Sequence, residues 1–382
     1  MSRYCNICGE TQHYVVMCEH CYSFLCYHHY PPEKHNCKHT RTKNTYQKAH
    51  YKKTRYYRKK KSNAKLLLIP LFLVMLIATY MLVDSNSVKT NSTFTLPEIN
   101  IPFITQEEPT QEELIQYALD LINKDRNIHG QQNVTLSSVN SAQLHAEDML
   151  KNSYYSHWDL NGYKAYMRYT LVGGKGAVAE NIAYRYTIGG KINVEESIEK
   201  LQWEMMYNDG HANWGHRDNI LDPMHNKVSI GIAYNKTHVY FVQNFENDYI
   251  TWNTLNTNNI HQITLSGTAS KYTIQDIMIF YDKATPLTTN QISQQQYQGS
   301  YSLGTFIASV VQPAPAGTYY IWNNNQIGIE ADTWIQNGNS FQITFSLSQA
   351  VNRYGTGIYT IYLSTGSSTA ESLTTHSIWV TD

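Results

Sequence analysis

The sequence predicts a multidomain membrane protein: a small cysteine-rich module, one transmembrane helix, a mixed α+β domain layered as an α-β-α sandwich, and an all-β sandwich. Three observations predict it. Leu66 to Val83 is an uncharged run of 18 residues. All six cysteines precede that run. Beyond it, helical periodicity from about residue 111 gives way after residue 250 to short alternating segments separated by turn residues.

The first forty residues carry a metal-ligand pattern. The candidate ligands are Cys5, Cys8, Cys18, Cys21, Cys26, His29, His35 and Cys37, spaced C-x2-C-x9-C-x2-C-x4-C-x2-H-x5-H-x-C. Eight thiolates and imidazoles make two tetrahedral Zn²⁺ sites. So short a segment cannot bury enough apolar surface to fold alone, so the metal would supply the folding free energy. A disulfide framework is the alternative, disfavoured by the two histidines and by the cytoplasmic side assigned below. With Phe24 before Cys26 and Pro32-Glu33 before His35, the segment resembles the AN1-type zinc finger. By that resemblance Cys5, Cys8, Cys26 and His29 hold one ion and Cys18, Cys21, His35 and Cys37 the other. The resemblance implies an adaptor module for a cytoplasmic protein partner that the residues do not specify.

Residues 41–65 hold eleven Lys or Arg and no Asp or Glu. This basic run, with Tyr46, Tyr51, Tyr56 and Tyr57, suits anionic lipid head groups; nucleic acid is not the expected partner. Residues 66–83 are the expected span: 18 helical residues rise roughly 27 Å, about the hydrocarbon core of a bilayer. The positive-inside rule places the N-terminus in the cytoplasm and residues 84–382 outside. The three sequons, at Asn91, Asn133 and Asn235, all lie on the outer side. Residues 84–110, with Pro97, Pro102 and Pro109, read as an extended linker.

Residues 111–250 form the α+β domain. Thr110 with Glu113 fits a capping box, and Leu114, Ala118, Leu121 and Ile122 follow at helical spacing. Further helices are expected over Ser138–Lys151 and Val194–Tyr207. Lys227–Tyr234 and His238–Phe245 alternate as an antiparallel pair with one buried face. Short motifs fall between them: Ser156-His157-Trp158-Asp159, Ala179-Glu180-Asn181-Ile182-Ala183 and Gly215-His216-Arg217-Asp218-Asn219-Ile220-Leu221. Together with Ile122-Asn123-x-x-Arg126 and Val242-Gln243-Asn244-Phe245, this set resembles the CAP (SCP) superfamily of cysteine-rich secretory proteins, antigen 5 and pathogenesis-related 1 proteins. The similarity covers roughly residues 112–249, and the absence of Cys points to its prokaryotic, archaeal-type members.

That resemblance implies a cleft built on two histidines and two acids. His157 and His216 fill the histidine places and Glu180 the first acid place. The second acid departs from the pattern, because the slot three residues after Trp203 is Met206; Asp209 is the first candidate and Glu204 the second. Two imidazoles with carboxylates suit a divalent ion, whose open position could acidify water. Without an ion, a His–Glu pair could serve as general acid and base. A buried structural network is the third possibility. His145, His211, His225 and His238 are expected to be ordinary satisfied imidazoles, with His211 and His225 near enough in sequence to join His216.

Residues 251–382 predict strands at His261–Ser266, Tyr272–Tyr281, Thr305–Val311, Gly317–Trp322, Ser340–Ser346, Gly357–Ser364 and Thr375–Val380, with a tyrosine corner at Gly357-Ile358-Tyr359. This reads as an immunoglobulin-like sandwich without its disulfide, a recognition or spacing module. The expected function is a surface-anchored protein whose outer cleft binds a divalent metal, a small lipid or a glycan. A metal-dependent hydrolase is the alternative, and a signalling bridge working through the finger is the third. The chain is not firmly an enzyme on this reading.

Overall fold

In a computed structural model, the described residues are Ile7, Val16–Met17, Phe24–Leu25, 108–270, 272–315, 327–365 and 372–381. They belong to two compact units, Met1–Glu107 and Glu108–Asp382. In the first, β1 (Val16–Met17) pairs antiparallel with β2 (Phe24–Leu25). The eight predicted zinc ligands, the basic segment, the Leu66–Val83 stretch and the Gly317–Trp322 strand lie outside the described residues. Among the described residues, no helix is long and apolar enough to cross a membrane.

The second unit opens with helix α1 (Gln111–Ile128), whose capping box is formed by Thr110 and Glu113. Two helical donors that would otherwise be unsatisfied are thereby paired. β3 (Thr135–Leu136) leads into α2 (Ser141–Asn152), three residues later at its start than the sequence predicts. α3 (Ala165–Leu171), β4 (Ala177–Tyr186), α4 (Val194–Tyr207) and α5 (Gly215–Leu221) follow. β5 (Lys227–Tyr234) and β6 (His238–Asn247) complete a four-stranded sheet ordered β3-β5-β6-β4, antiparallel except for the β3–β5 pair.

The expectation of one buried face on β5 and β6 is corrected: nearly every residue of both strands is buried. Helices cover the two faces. Leu114, Ala118, Ile122, Ile198 and Leu201 of α1 and α4 pack with Val228, Ile230, Ile232 and Phe241. Ala142, Ala146 and Met149 of α2 pack with Ala233, Tyr240 and Val242 on the other side. These are the layers of an α-β-α arrangement. At Gly231, α2 comes so close that a β-carbon would lie 2.1 Å from the Ala142 carbonyl oxygen.

Among the described residues, nine strands follow, with two short α-helices among them. β7 (Ile250–Asn256), β8 (Ile263–Ala269), β12 (Thr333–Asn337) and β13 (Ser340–Phe345) make a sheet ordered β12-β13-β8-β7. β9 (Asp276–Asp282), β10 (Thr305–Val311), β11 (Ile327–Glu330), β14 (Gly357–Ser364) and β15 (Ser372–Val380) make another, ordered β11-β10-β9-β14-β15. Ile263, Leu265, Ile343 and Phe345 of the first sheet share one core with Ile277, Ile279, Ile361 and Leu363 of the second, so the two stack as a sandwich. At the corner, the Tyr359 hydroxyl donates to the Gly355 carbonyl at 2.7 Å.

The outer face of the β14–β15 pair is largely covered. Ile358 and Trp379 pack with Tyr163, Tyr166 and Tyr169 of the α3 region. The Lys164 ammonium pairs with Asp282, Leu287 N–H donates to Leu160 O at 2.7 Å, and Thr374 Oγ1 donates to Lys175 O at 2.7 Å. The α+β layers and the sandwich therefore form one packed body. Because the α2–β5 contact leaves no room for a side chain, Gly231→Ala is expected to destabilise the chain by roughly 2–3 kcal/mol through overpacking. A lower urea midpoint with an unchanged slope in equilibrium unfolding checks this.

Candidate functional site

The centre of the site is Glu180, on the edge strand β4, with a side chain that has no solvent exposure. A bare carboxylate there would be costly, and three cations or potential cations surround it. Arg168 of α3 donates from Nη2 to Glu180 Oε2 at 2.7 Å. His157 places Nδ1 3.0 Å from Oε1, and His145 of α2 holds Nε2 3.9 Å from the same oxygen. Burial opposes the charge of Glu180, but Arg168, with His145 and His157, holds its carboxyl down at about 2. Burial also opposes the Arg168 charge, which Glu180 and Asp159 restore and raise. From Nη1, Arg168 reaches the carbonyls of His157 at 2.8 Å and Tyr163 at 2.7 Å, so the same guanidinium fixes the loop that carries His157.

His145 is fully enclosed, and its Nε2 lies 2.9 Å from the Ser156 carbonyl. Burial, reinforced by the positive charge of Arg168, pushes its imidazole down to about 3, so it is neutral at ordinary pH. With Nε2 as donor, it supports the His157 loop rather than lining the cleft.

The second pair is built within one short stretch. Asp209 follows α4, and Oδ1 lies 2.6 Å from His216 Nδ1 while Oδ2 accepts the amide N–H groups of His216 at 2.8 Å and Arg217 at 3.3 Å. The loop between them turns through Asn213 and Trp214, both left-handed at φ 51° and 64°. A tryptophan in that region carries steric strain. Asp209 meets part of that cost by accepting the amides of Ala212 and Trp214 at its own carbonyl. Glu204 is placed elsewhere: it is half-buried on α4, near Arg185 and His211, and burial pushes its carboxyl up.

His157, Glu180 and His216 line one cleft of about 1360 Å³. Each imidazole meets a carboxylate through Nδ1, the contact that selects, for an uncharged imidazole, the tautomer with the proton on Nδ1 and the lone pair on Nε2. The two rings are 13% and 18% exposed, whereas both carboxylates are 0%. This revises the expected ligand set. The acids are engaged behind the rings, and among the described residues no group of three or more His, Cys, Asp or Glu is placed to hold a metal. What the cleft offers an ion is a pair of imidazole nitrogens.

The neighbouring histidines differ. Both nitrogens of His225 are occupied, at 2.7 Å by Asn247 Oδ1 and at 3.0 Å by Asn219 Oδ1. Asn219 continues to Asn181, which donates to the His216 carbonyl at 3.0 Å. His211 is exposed at the cleft rim, and His238 stacks with Tyr184 and Tyr186 on β4. Arg126 is wholly buried and donates to the carbonyls of Gln132, Ile220, Asp222 and His225, pinning the segment that follows α5.

Sequence reasoning did not foresee Arg168 or the wall supplied by the sandwich. Tyr301 sets its ring 5.2 Å from that of His157, and Tyr297 meets Trp158 at 5.4 Å. Ser156 Oγ donates to the Tyr297 carbonyl at 2.6 Å. These contacts join residues 139 to 144 positions apart in the chain, and no local pattern announces them.

His145 and Glu180 both set the acid stability. Each is held below its unfolded value, so each contributes stability that is complete above that value and is lost as pH falls: from about 6.5 toward 3 for His145 and from about 4.5 toward 2 for Glu180. Wild type is expected to lose about 2 kcal/mol more than His145→Gln between pH 7 and pH 5, as measured by chemical denaturation at each pH.

Residues 119–245 match the model of the cysteine-rich secretory protein family, CAP. No curated protein matches the chain. Among solved structures, an extracellular protein containing an SCP domain from Bacillus anthracis str. Ames is 22% identical, with a TM-score of 0.29, over 37% of this chain and 45% of that one. The CAP domain of Enterococcal PrgA is 16% identical, with a TM-score of 0.24, over 36% of this chain and 63% of that one. The chain thus spans less than two thirds of either solved relative. By the family match, and with an α-β-α arrangement carrying it, residues 119–245 are a CAP domain.

Proposed function

We propose that the cleft is a ligand-binding site in which His157 and His216 present two Nε2 lone pairs to a divalent ion, and that the ion's other positions are filled by the ligand or by water. The observation that supports this is the repetition of one device: a buried carboxylate behind each imidazole, at 3.0 Å for Glu180 and 2.6 Å for Asp209. A carboxylate behind a histidine fixes the tautomer and strengthens the nitrogen that faces the metal. Two imidazoles suit Zn²⁺ or a neighbouring first-row ion. When bound, the ion would polarise an oxygen of the ligand.

The same device favours a second reading, metal-assisted hydrolysis. An imidazole oriented by a buried carboxylate is also the arrangement of a general base. Ser156, the hydroxyl next in sequence to His157, is committed to the Tyr297 carbonyl, so turnover on this reading runs through water rather than a covalent intermediate. The surroundings follow from the sequence: a finger holding two Zn²⁺ and a protein partner in the cytoplasm, a basic segment on anionic lipid, a single membrane pass at residues 66–83, and the CAP domain and sandwich outside the cell.

Isothermal titration of the full chain with Co²⁺ or Zn²⁺, beside a variant lacking the finger's cysteines, isolates the cleft. One ion per chain is expected there, lost in His157→Ala and in His216→Ala. Asp209→Asn, which keeps the shape of the group behind the ring but removes its charge, is expected to weaken the ion roughly 10–100-fold. Unchanged stoichiometry and affinity in the double histidine variant would refute the reading.

A further inference from the structure

One motif of the sequence has no part in the cleft: the sequon Asn235-Lys236-Thr237, in the turn that joins β5 to β6. Asn235 and Lys236 are exposed there. Asn235 Oδ1 accepts the amide N–H groups of Thr237 and His238, each at 2.9 Å. An oxygen can accept two such donors and an amide nitrogen cannot, so these bonds settle which side-chain atom is which. The Thr237 hydroxyl lies 3.4 Å from the same oxygen. Nδ2 is left over: among the described residues it has no hydrogen-bond partner. An exposed, uncommitted Asn nitrogen with a hydroxyl two residues on is the acceptor of an Asn-linked glycan.

A second observation sits around the same turn. Ile188 is 92% exposed and Tyr186 58%. The loop bearing Ile188 is tied to the sequon's own carbonyls, with Thr187 N–H donating to Thr237 O and Ile192 N–H to Lys236 O, both at 2.9 Å. Tyr186 pairs in register with His238, the residue after the sequon, and their rings are 6.3 Å apart. Tyr234, the residue before it, is exposed as well. Single exposed apolar residues need no explanation, but these gather at one place and call for a cover. The sequon at Asn133 differs: its Thr135 enters β3, and the N–H and Oγ1 of that residue both meet the Asn226 carbonyl.

We propose that Asn235 is a glycosylation site, and that the C–H faces of the attached sugar rest on Tyr186, Ile188 and Tyr234. The donor is a lipid-pyrophosphate-linked oligosaccharide, and a membrane-bound transferase supplies the base. Nδ2 attacks the anomeric carbon, the N–C bond forms as the C–O bond to phosphate breaks, the lipid pyrophosphate leaves with the electron pair, and the amide proton goes to the base. The proposal rests on the outer placement of residues 84–382, not on the cleft. A β-strand rises roughly 3.4 Å per residue, so β6 from His238 to the cleft residue Asn247 spans about 30 Å. The glycan therefore stands clear of the two histidines.

The test uses the full chain, made in cells that put Asn-linked glycans on their surface proteins and purified from their membranes. Trypsin cuts after Lys227 and Lys236, and mass spectrometry of the peptide 228–236 is expected to find most of it carrying sugar on Asn235. Thr237→Ser should keep the sugar. Thr237→Val and Asn235→Gln should each lose it, with the circular-dichroism spectrum unchanged. A bare 228–236 peptide overturns the proposal, and so does a glycan on Asn133 with none on Asn235. Protease added to intact cells separates the two causes of a bare peptide. Digestion of residues 84–382 places the failure on Asn235 alone, and their protection places it on the assigned topology.

Discussion

The contact on which the rest of this structure depends is the ion pair between Arg168 and Glu180, out of reach of water on the flank of the CAP sheet. Such pairs contribute little net stability, because desolvation offsets their attraction, yet breaking one leaves a buried charge at a cost of roughly 3–5 kcal/mol. Its effect is therefore on geometry more than on stability. Arg168 can neutralise Glu180 only if α3 lies against β4, and in that position its other amino group must take the carbonyls of His157 and Tyr163. The loop bearing His157 has one place to go. His145, neutral and enclosed, closes the remaining side.

His216 is held by a different route to the same end. Asp209 lies seven residues upstream and reaches both the ring and the first amides of α5, so a single carboxylate sets the rotation of the imidazole and the start of the helix that carries it. The left-handed turn at Asn213 and Trp214 lets the chain double back that quickly. Strain of this kind persists where surrounding bonds over-determine the backbone, and here they come from the Asp209 carbonyl and side chain together.

These facts explain what could be read from the sequence. α1 with its capping box, α4 over Val194–Tyr207 and β5 over Lys227–Tyr234 agree with the sequence expectation, because period and caps are local properties. α3 and α5 have only seven residues each, too few for a period, and β4 is buried continuously through Glu180 and Asn181, so alternation fails there. The motifs around His157, Glu180 and His216 were visible, and all three residues meet at one cleft. That the acids stand behind the rings was not, since spacing says nothing about which oxygen faces which nitrogen. β7, β11 and β12 of the sandwich were unread for another reason: they are short or polar, and their burial depends on partners far along the chain.

The family match ends at residue 245, but the physical unit does not. On an ordinary sandwich the outer face of a sheet is polar and solvated. On β14 and β15 that face carries buried Ile358 and half-buried Trp379, packed against Tyr163 and Tyr166, and Thr360, Thr375 and Ser377 are enclosed as well. Asn247, two residues past the match, donates to the Ser372 carbonyl at 2.8 Å while its oxygen meets His225, so a hydrogen-bonded line runs from the sandwich through Asn247, His225, Asn219 and Asn181 to the backbone of His216. A cut at the domain boundary would sever that line, expose the tyrosines of α3 and remove one wall of the cleft. The sandwich is thus more than a spacer. It completes the enclosure around two histidines that the CAP domain alone would leave open on one side.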